Sequence, residues 1–111
     1  MSVRGAPICA ALAAWAGLAL AQQPDFAPPN LSAAGARDMA ANCAACHGTD
    51  GRAAAGSGMS SLAGRADVAR LLRAFRDGKR ESTVMRQIAR GYGDAEIDAI
   101  GAYFARRPDG R

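Results

Sequence analysis

Cys43-Ala44-Ala45-Cys46-His47 is the stretch on which the fold turns. On a helix, positions 43 and 46 lie on one face about a turn apart, so two thiols can reach the two vinyl groups of one porphyrin. The histidine that follows can put an imidazole nitrogen on the iron as proximal ligand. The run therefore reads as a covalent haem c attachment site, with Cys43, Cys46 and His47 as its haem-binding residues. One haem on two thioethers is the expected cofactor. Other readings run short of residues. A thioredoxin-like pair needs a βαβ context that the chain does not show. A closed zinc site wants four Cys or His ligands. Only two of the three cysteines lie beyond the leader, and the chain has a single histidine. An isolated structural disulfide stays open.

Upstream, residues 1–21 read as a secretory signal peptide. Arg4 gives the positive start, Ile8 to Leu20 the short apolar stretch, and Ala19-Leu20-Ala21 the small-residue cleavage site before Gln22. That stretch is short for a membrane span, and no stop-transfer pattern follows, so no stable span is expected after cleavage. No twin arginine is present, which points to export unfolded and to haem attachment in the periplasm. An uncleaved anchor is the alternative.

The remaining 90 residues suit one domain. Their aromatics are only Phe26, Phe75, Tyr92, Tyr103 and Phe104, amid much alanine and glycine. So little large apolar surface calls for a staple or a cofactor to complete a core. Without Arg4 the basic residues number 13 against 10 acidic, a charge of +3. No aromatic or groove-reading motif accompanies that charge, so nucleic acid is not expected as a partner.

Downstream, residues 22–31 carry three prolines and read as an extended arm, with the folded domain spanning 32–111. Ser32 is a good N-cap and Leu31 a candidate staple for a helix that runs to the cysteines. Gly35, Met39 and Cys43 share one face of it. Gly48–Gly64 reads as an irregular loop round the cofactor. Ala66–Arg76 is an amphipathic helix with Val68, Leu71, Leu72 and Phe75 on one side, ending near Gly78. Ser82–Arg90 reads as a short helix, broken by Gly91 and Gly93. The last helix follows Gly93, with Glu96 placed for a capping box and Ile97, Ile100, Gly101 and Phe104 as its apolar stripe; Pro108 stops it. No stretch alternates like a strand. The fold class is all-α.

Over residues 22–111 the chain resembles class I c-type cytochromes. Gly35-x3-Met39-x3-Cys43 is similar to that family's first-helix pattern, and Ile100-x2-Tyr103-Phe104 to the last-helix face packed against it. Arg76-Asp77-Gly78-Lys79-Arg80, Thr83-Val84-Met85, Ile88-Ala89-Arg90-Gly91-Tyr92 and Tyr103-Phe104 resemble the cytochrome subunit of flavocytochrome c sulfide dehydrogenase and related periplasmic cytochromes. The resemblance implies helices wrapped round one haem and a methionine as sixth ligand. Met85 stands at the family's separation from the last helix; Met59 in the loop competes, Met39 reads as helix packing, and an open or water-occupied iron is the remaining case. Ser60 and Glu81 stand where the pattern often has proline, which leaves open the carbonyl that orients His47.

His47 and Met85 on one iron raise its potential relative to two histidines and favour outer-sphere electron transfer. No acid–base pair stands out, so the chain is expected to be a one-electron carrier and not itself an enzyme. Its redox partner is then a flavoprotein subunit, such as a sulfide dehydrogenase, or it shuttles freely between larger complexes. A gas-binding haem protein with an open iron is a third reading. Arg70, Arg73 and Arg76 recur every third residue, with Lys79 and Arg80 just beyond, as a solvated helix face or as a docking rim for an acidic partner.

Overall fold

Four helices and one tight turn carry the chain between residues 29 and 108, the part that the computed structural model describes. The expected leader, residues 1–21, and most of the expected arm lie outside the described residues. Helix α1, Ala33–His47, begins where sequence places it: the Ser32 hydroxyl accepts the Gly35 N–H at 3.2 Å. Leu31 stays 47% exposed and forms no staple. Gly48 ends the helix at φ +83°, where a Cβ would run into the Arg52 carbonyl. A 3-10 turn, Thr49–Gly51, follows at once.

Helix α2 is Val68–Arg76, with Val68 and Leu72 buried. Two residues are lost from its expected start, because Ala66 and Asp67 sit in the preceding turn. Helix α3 is only Met85–Ala89. Ser82 belongs to its approach instead, where its hydroxyl accepts the Met85 N–H at 2.8 Å and satisfies one of the helix's unpaired donors. Helix α4, Asp94–Ala105, opens with the expected carboxylate brace: the Gly93 N–H donates to Glu96 Oε2 at 2.7 Å. It buries Ile97, Ile100, Gly101, Tyr103 and Phe104. No strand occurs among the described residues.

Helix α4 is the hub. It packs against α1 and α2, while α3 packs chiefly on α2. Small residues set the spacings. Helix α1 presents Ala36 and Ala40 to the core. A Cβ on Gly101 would sit 2.7 Å from the Ala69 Cβ, so α2 and α4 approach closer than any side chain at 101 permits. The largest fully buried side chains are Phe104, Ile97 and Ile100. That is a thin core for helices of this length, and it opens on one side.

Candidate functional site

The C-terminal turns of α1 deliver Cys43, Cys46 and His47 to one cleft of about 380 Å³. Cys43 is half-buried against the core, and burial pushes its thiol up; Cys46 is exposed. No disulfide joins them. His47 is buried, and its Nδ1 lies 2.6 Å from the Ser60 carbonyl oxygen. A carbonyl can only accept, so Nδ1 carries the ring proton and donates it. In the neutral ring this leaves the lone pair on Nε2, the tautomer that suits a metal ligand. Ser60 thus supplies the carbonyl that sequence left open. The family pattern pointed to this position, and serine in place of proline leaves the main-chain oxygen where the bond needs it.

Met59 and Met85 both line the cleft, and Met39 does not. Met39 packs against the core, as expected. The two remaining methionines differ in setting. Met85 is half-buried and touches the core, whereas Met59 is 40% exposed on the loop. Helix α2 adds Val68, Leu71, Leu72 and Phe75 to the walls, and α4 adds Ile100 and Phe104.

The cleft has the composition of a seat for a large flat apolar group. Four large hydrophobic side chains are exposed among the described residues: Leu31, Met59, Val84 and Ile88. Three of these line this one cleft. Exposed apolar groups scattered singly are ordinary, but convergence on one concavity marks a binding surface. With two thiols and a correctly protonated imidazole at its edge, the residues fit a haem. A metal cluster without a porphyrin fits poorly, since no group of three or more His, Cys, Asp or Glu gathers among the described residues.

Charge is distributed differently from expectation. Arg70, Arg73 and Arg76 do not form a free rim. Arg70 pairs with Asp67 at 3.2 Å. Arg73 reaches Asp98 at 2.7 Å and Asp94 at 3.3 Å. Arg76 reaches Asp94 at 2.8 Å and Asp77 at 3.1 Å. The acids of α4 meet this face of α2, and Arg76 and then Arg73 hold the Asp94 carboxyl below its usual range. By contrast, Lys79, Arg80 and Arg86 make no ion pair among the described residues. Arg86 lies against the turn at Gly78, next to Lys79 and Arg80, and Arg80 itself borders the cleft, with its guanidinium 5.3 Å from the Phe75 ring centre.

Residues 30–104 match the family described as cytochrome C oxidase, cbb3-type, subunit III. The chain belongs to the cytochrome c family. Membership brings haem binding and an electron-carrying role, and it agrees with the helical fold described above. This cytochrome is 34% identical over 110 residues to a thiosulfate dehydrogenase electron acceptor of Thiomonas intermedia, covering 96% of this chain and 42% of that protein. It is 40% identical over 68 residues to the cytochrome subunit of sulfide dehydrogenase of Chlorobaculum tepidum, covering 60% of each. A third relative, cytochrome c-554(548) of Halomonas halodenitrificans, is 35% identical over 78 residues, covering 66% of this chain and 93% of the relative. The cytochrome therefore spans about half the length of the first two relatives and nearly all of the third. No helix among the described residues is long and apolar enough to cross a membrane.

Proposed function

We propose that this cytochrome is an exported, periplasmic one-electron carrier with a single haem c, attached through Cys43 and Cys46 and ligated by His47 and Met85. The observation that carries the reading is the His47–Ser60 hydrogen bond. It fixes the tautomer a metal ligand needs, in a side chain buried beside two thiols at the edge of an apolar cleft. When bound, the haem supplies the one-electron couple. The chain's own residues do the rest. Cys43 and Cys46 would anchor the group, His47 Nε2 and the Met85 thioether would ligate its iron, and Val68, Leu72, Phe104 and Ile100 would give it apolar surroundings. An iron held by both ligands would exchange electrons without binding substrate.

Export rests on the leader-like residues 1–21. The donor is a sulfur-compound dehydrogenase, a reading supported by the names of two relatives, with a flavoprotein subunit as one form of that partner. A free shuttle between larger complexes is the second reading. It is favoured by the cytochrome c-554(548) whose length this chain almost spans.

Acid–acetone extraction tests the attachment. The haem should stay with the polypeptide, and Cys43→Ser with Cys46→Ser should release it into the organic phase. Complete extraction from the wild-type protein would end the covalent reading.

A further inference from the structure

Asp50 is the only non-glycine among the described residues with a left-handed backbone, at φ +55° and ψ +21°. Such a conformation is tolerated by Asp but is disfavoured, and it persists where surrounding contacts hold it. The contact is on the page. The buried Tyr103 hydroxyl of α4 donates to Asp50 Oδ1 at 2.7 Å, across more than fifty residues of chain. Asp50 and burial push the Tyr103 phenol above its usual value, so it stays protonated and able to donate at neutral pH. The Arg107 guanidinium lies over the Tyr103 ring, 4.5 Å from its centre.

What the turn holds is the loop that carries Ser60. The Gly51 carbonyl accepts both the Leu62 N–H at 2.7 Å and the Ala63 N–H at 3.2 Å. The Ala53 N–H donates to the Ser61 hydroxyl at 3.1 Å. Residues 51–53 and 61–63 are thus laced together, and Ser60 is the next residue along. Helix α4 grips the same lacing twice more. The Gly64 N–H donates to the Phe104 carbonyl at 2.9 Å, and Gly51 lies so close to the Phe104 ring that a Cβ would come within 2.8 Å of it.

We propose that Tyr103, acting through Asp50, is a positioning residue for the His47 imidazole: its hydroxyl pins the left-handed turn that holds the Ser60 carbonyl against Nδ1. The inference rests on His47 being the iron ligand. It adds that the basicity of this ligand is set from the last helix, through backbone that touches neither iron nor porphyrin. A firm Nδ1–H···O bond makes the imidazole a stronger donor and favours ferric iron. Loosening the carbonyl therefore raises the potential.

The test uses the oxidised and reduced holoprotein and reads the exchange rate of the His47 Nδ1 proton by NMR, with the reduction potential beside it. Tyr103→Phe removes the hydroxyl and keeps the ring. It should speed exchange about tenfold, the order of one lost hydrogen bond, and raise the potential. Asp50→Asn retains an acceptor oxygen and should stay near wild type. Asp50→Gly relieves the backbone but removes the acceptor, and should behave like Tyr103→Phe; it carries the test if Tyr103→Phe does not retain haem. A fall in thermal midpoint with exchange and potential unchanged would make Tyr103 a packing residue and overturn the proposal. The wild-type control separates the two levels. Without a paramagnetic shift of the Nδ1 proton in the oxidised form, the ligand assignment fails and this inference with it. A shifted proton indifferent to both variants sinks the inference alone.

Discussion

Met85 touches the core and is half-buried, while Met59 sits 40% exposed on a loop studded with glycine. A thioether held by packing loses little further entropy on binding iron; one on an open loop must be ordered first. Met85→Ala should therefore abolish the weak red absorption of iron–thioether sulfur in the oxidised protein, open the reduced iron to carbon monoxide and lower the potential, because the soft sulfur favours ferrous iron. Met59→Ala should keep all three properties. The opposite pattern would move the ligand to the loop. Side-chain identity makes this competition visible in the sequence, because methionine sulfur is a rare ligand type and only three candidates remain beyond the leader. The partner of His47 was left open for the converse reason: every residue has a carbonyl, so the identity of residue 60 alone cannot say whether its oxygen makes the bond.

Between elements, the ion pairs of α2 and α4 reshape the reading of the arginines. A spacing of three residues says which side chains share a face, but not what faces them. Asp94 and Asp98 come from a helix about twenty residues away, so only the packing of α4 on α2 reveals them. The helices themselves were legible where local chemistry marks an end, as at Ser32 and at Gly93 with Glu96. They were misjudged where a polar residue caps from a distance: Ser82 reads as helix but stands three residues ahead of the donor it satisfies. The pairing has a pH signature. Since the Asp94 carboxyl is held low in the folded protein, its contribution is complete above the ordinary carboxylate range, about pH 4, and is lost as pH falls through the folded value. Asp94→Asn should lower the thermal midpoint at neutral pH and flatten its fall on acidification. Melting curves across that range that stay parallel to wild type would show the network to be without weight, as many exposed pairs are.

Over the whole molecule, paired and unpaired cations separate. The α2 arginines are answered by acids of the same chain, whereas Lys79, Arg80 and Arg86, grouped at the turn where Arg80 borders the cleft, make no ion pair among the described residues. An acidic redox partner would be steered to the second group, bringing it to the edge of the proposed haem cleft. Replacing Lys79, Arg80 and Arg86 by Gln should slow electron transfer at low salt by about tenfold or more and remove most of its ionic-strength dependence. The matching Arg70, Arg73 and Arg76 variant should retain the wild-type salt profile. A reversal of these two results would restore α2 as the docking face. The location of charge was thus half legible: its abundance is in the sequence, its neutralisation only in the packing.

The bond between His47 and the Ser60 carbonyl also bears on how this cytochrome can drift in sequence. A feature carried by the main chain is untouched by most codon changes at its own position. Serine, alanine or proline at 60 would present the same oxygen, provided that the lacing on either side survives. Selection on the iron's environment therefore falls elsewhere, on residues such as Gly51, Asp50 and Tyr103 whose side chains, or lack of one, keep that stretch of backbone in place. A change of side chain at position 60 should therefore cost the iron's environment less than a change at Gly51, Asp50 or Tyr103.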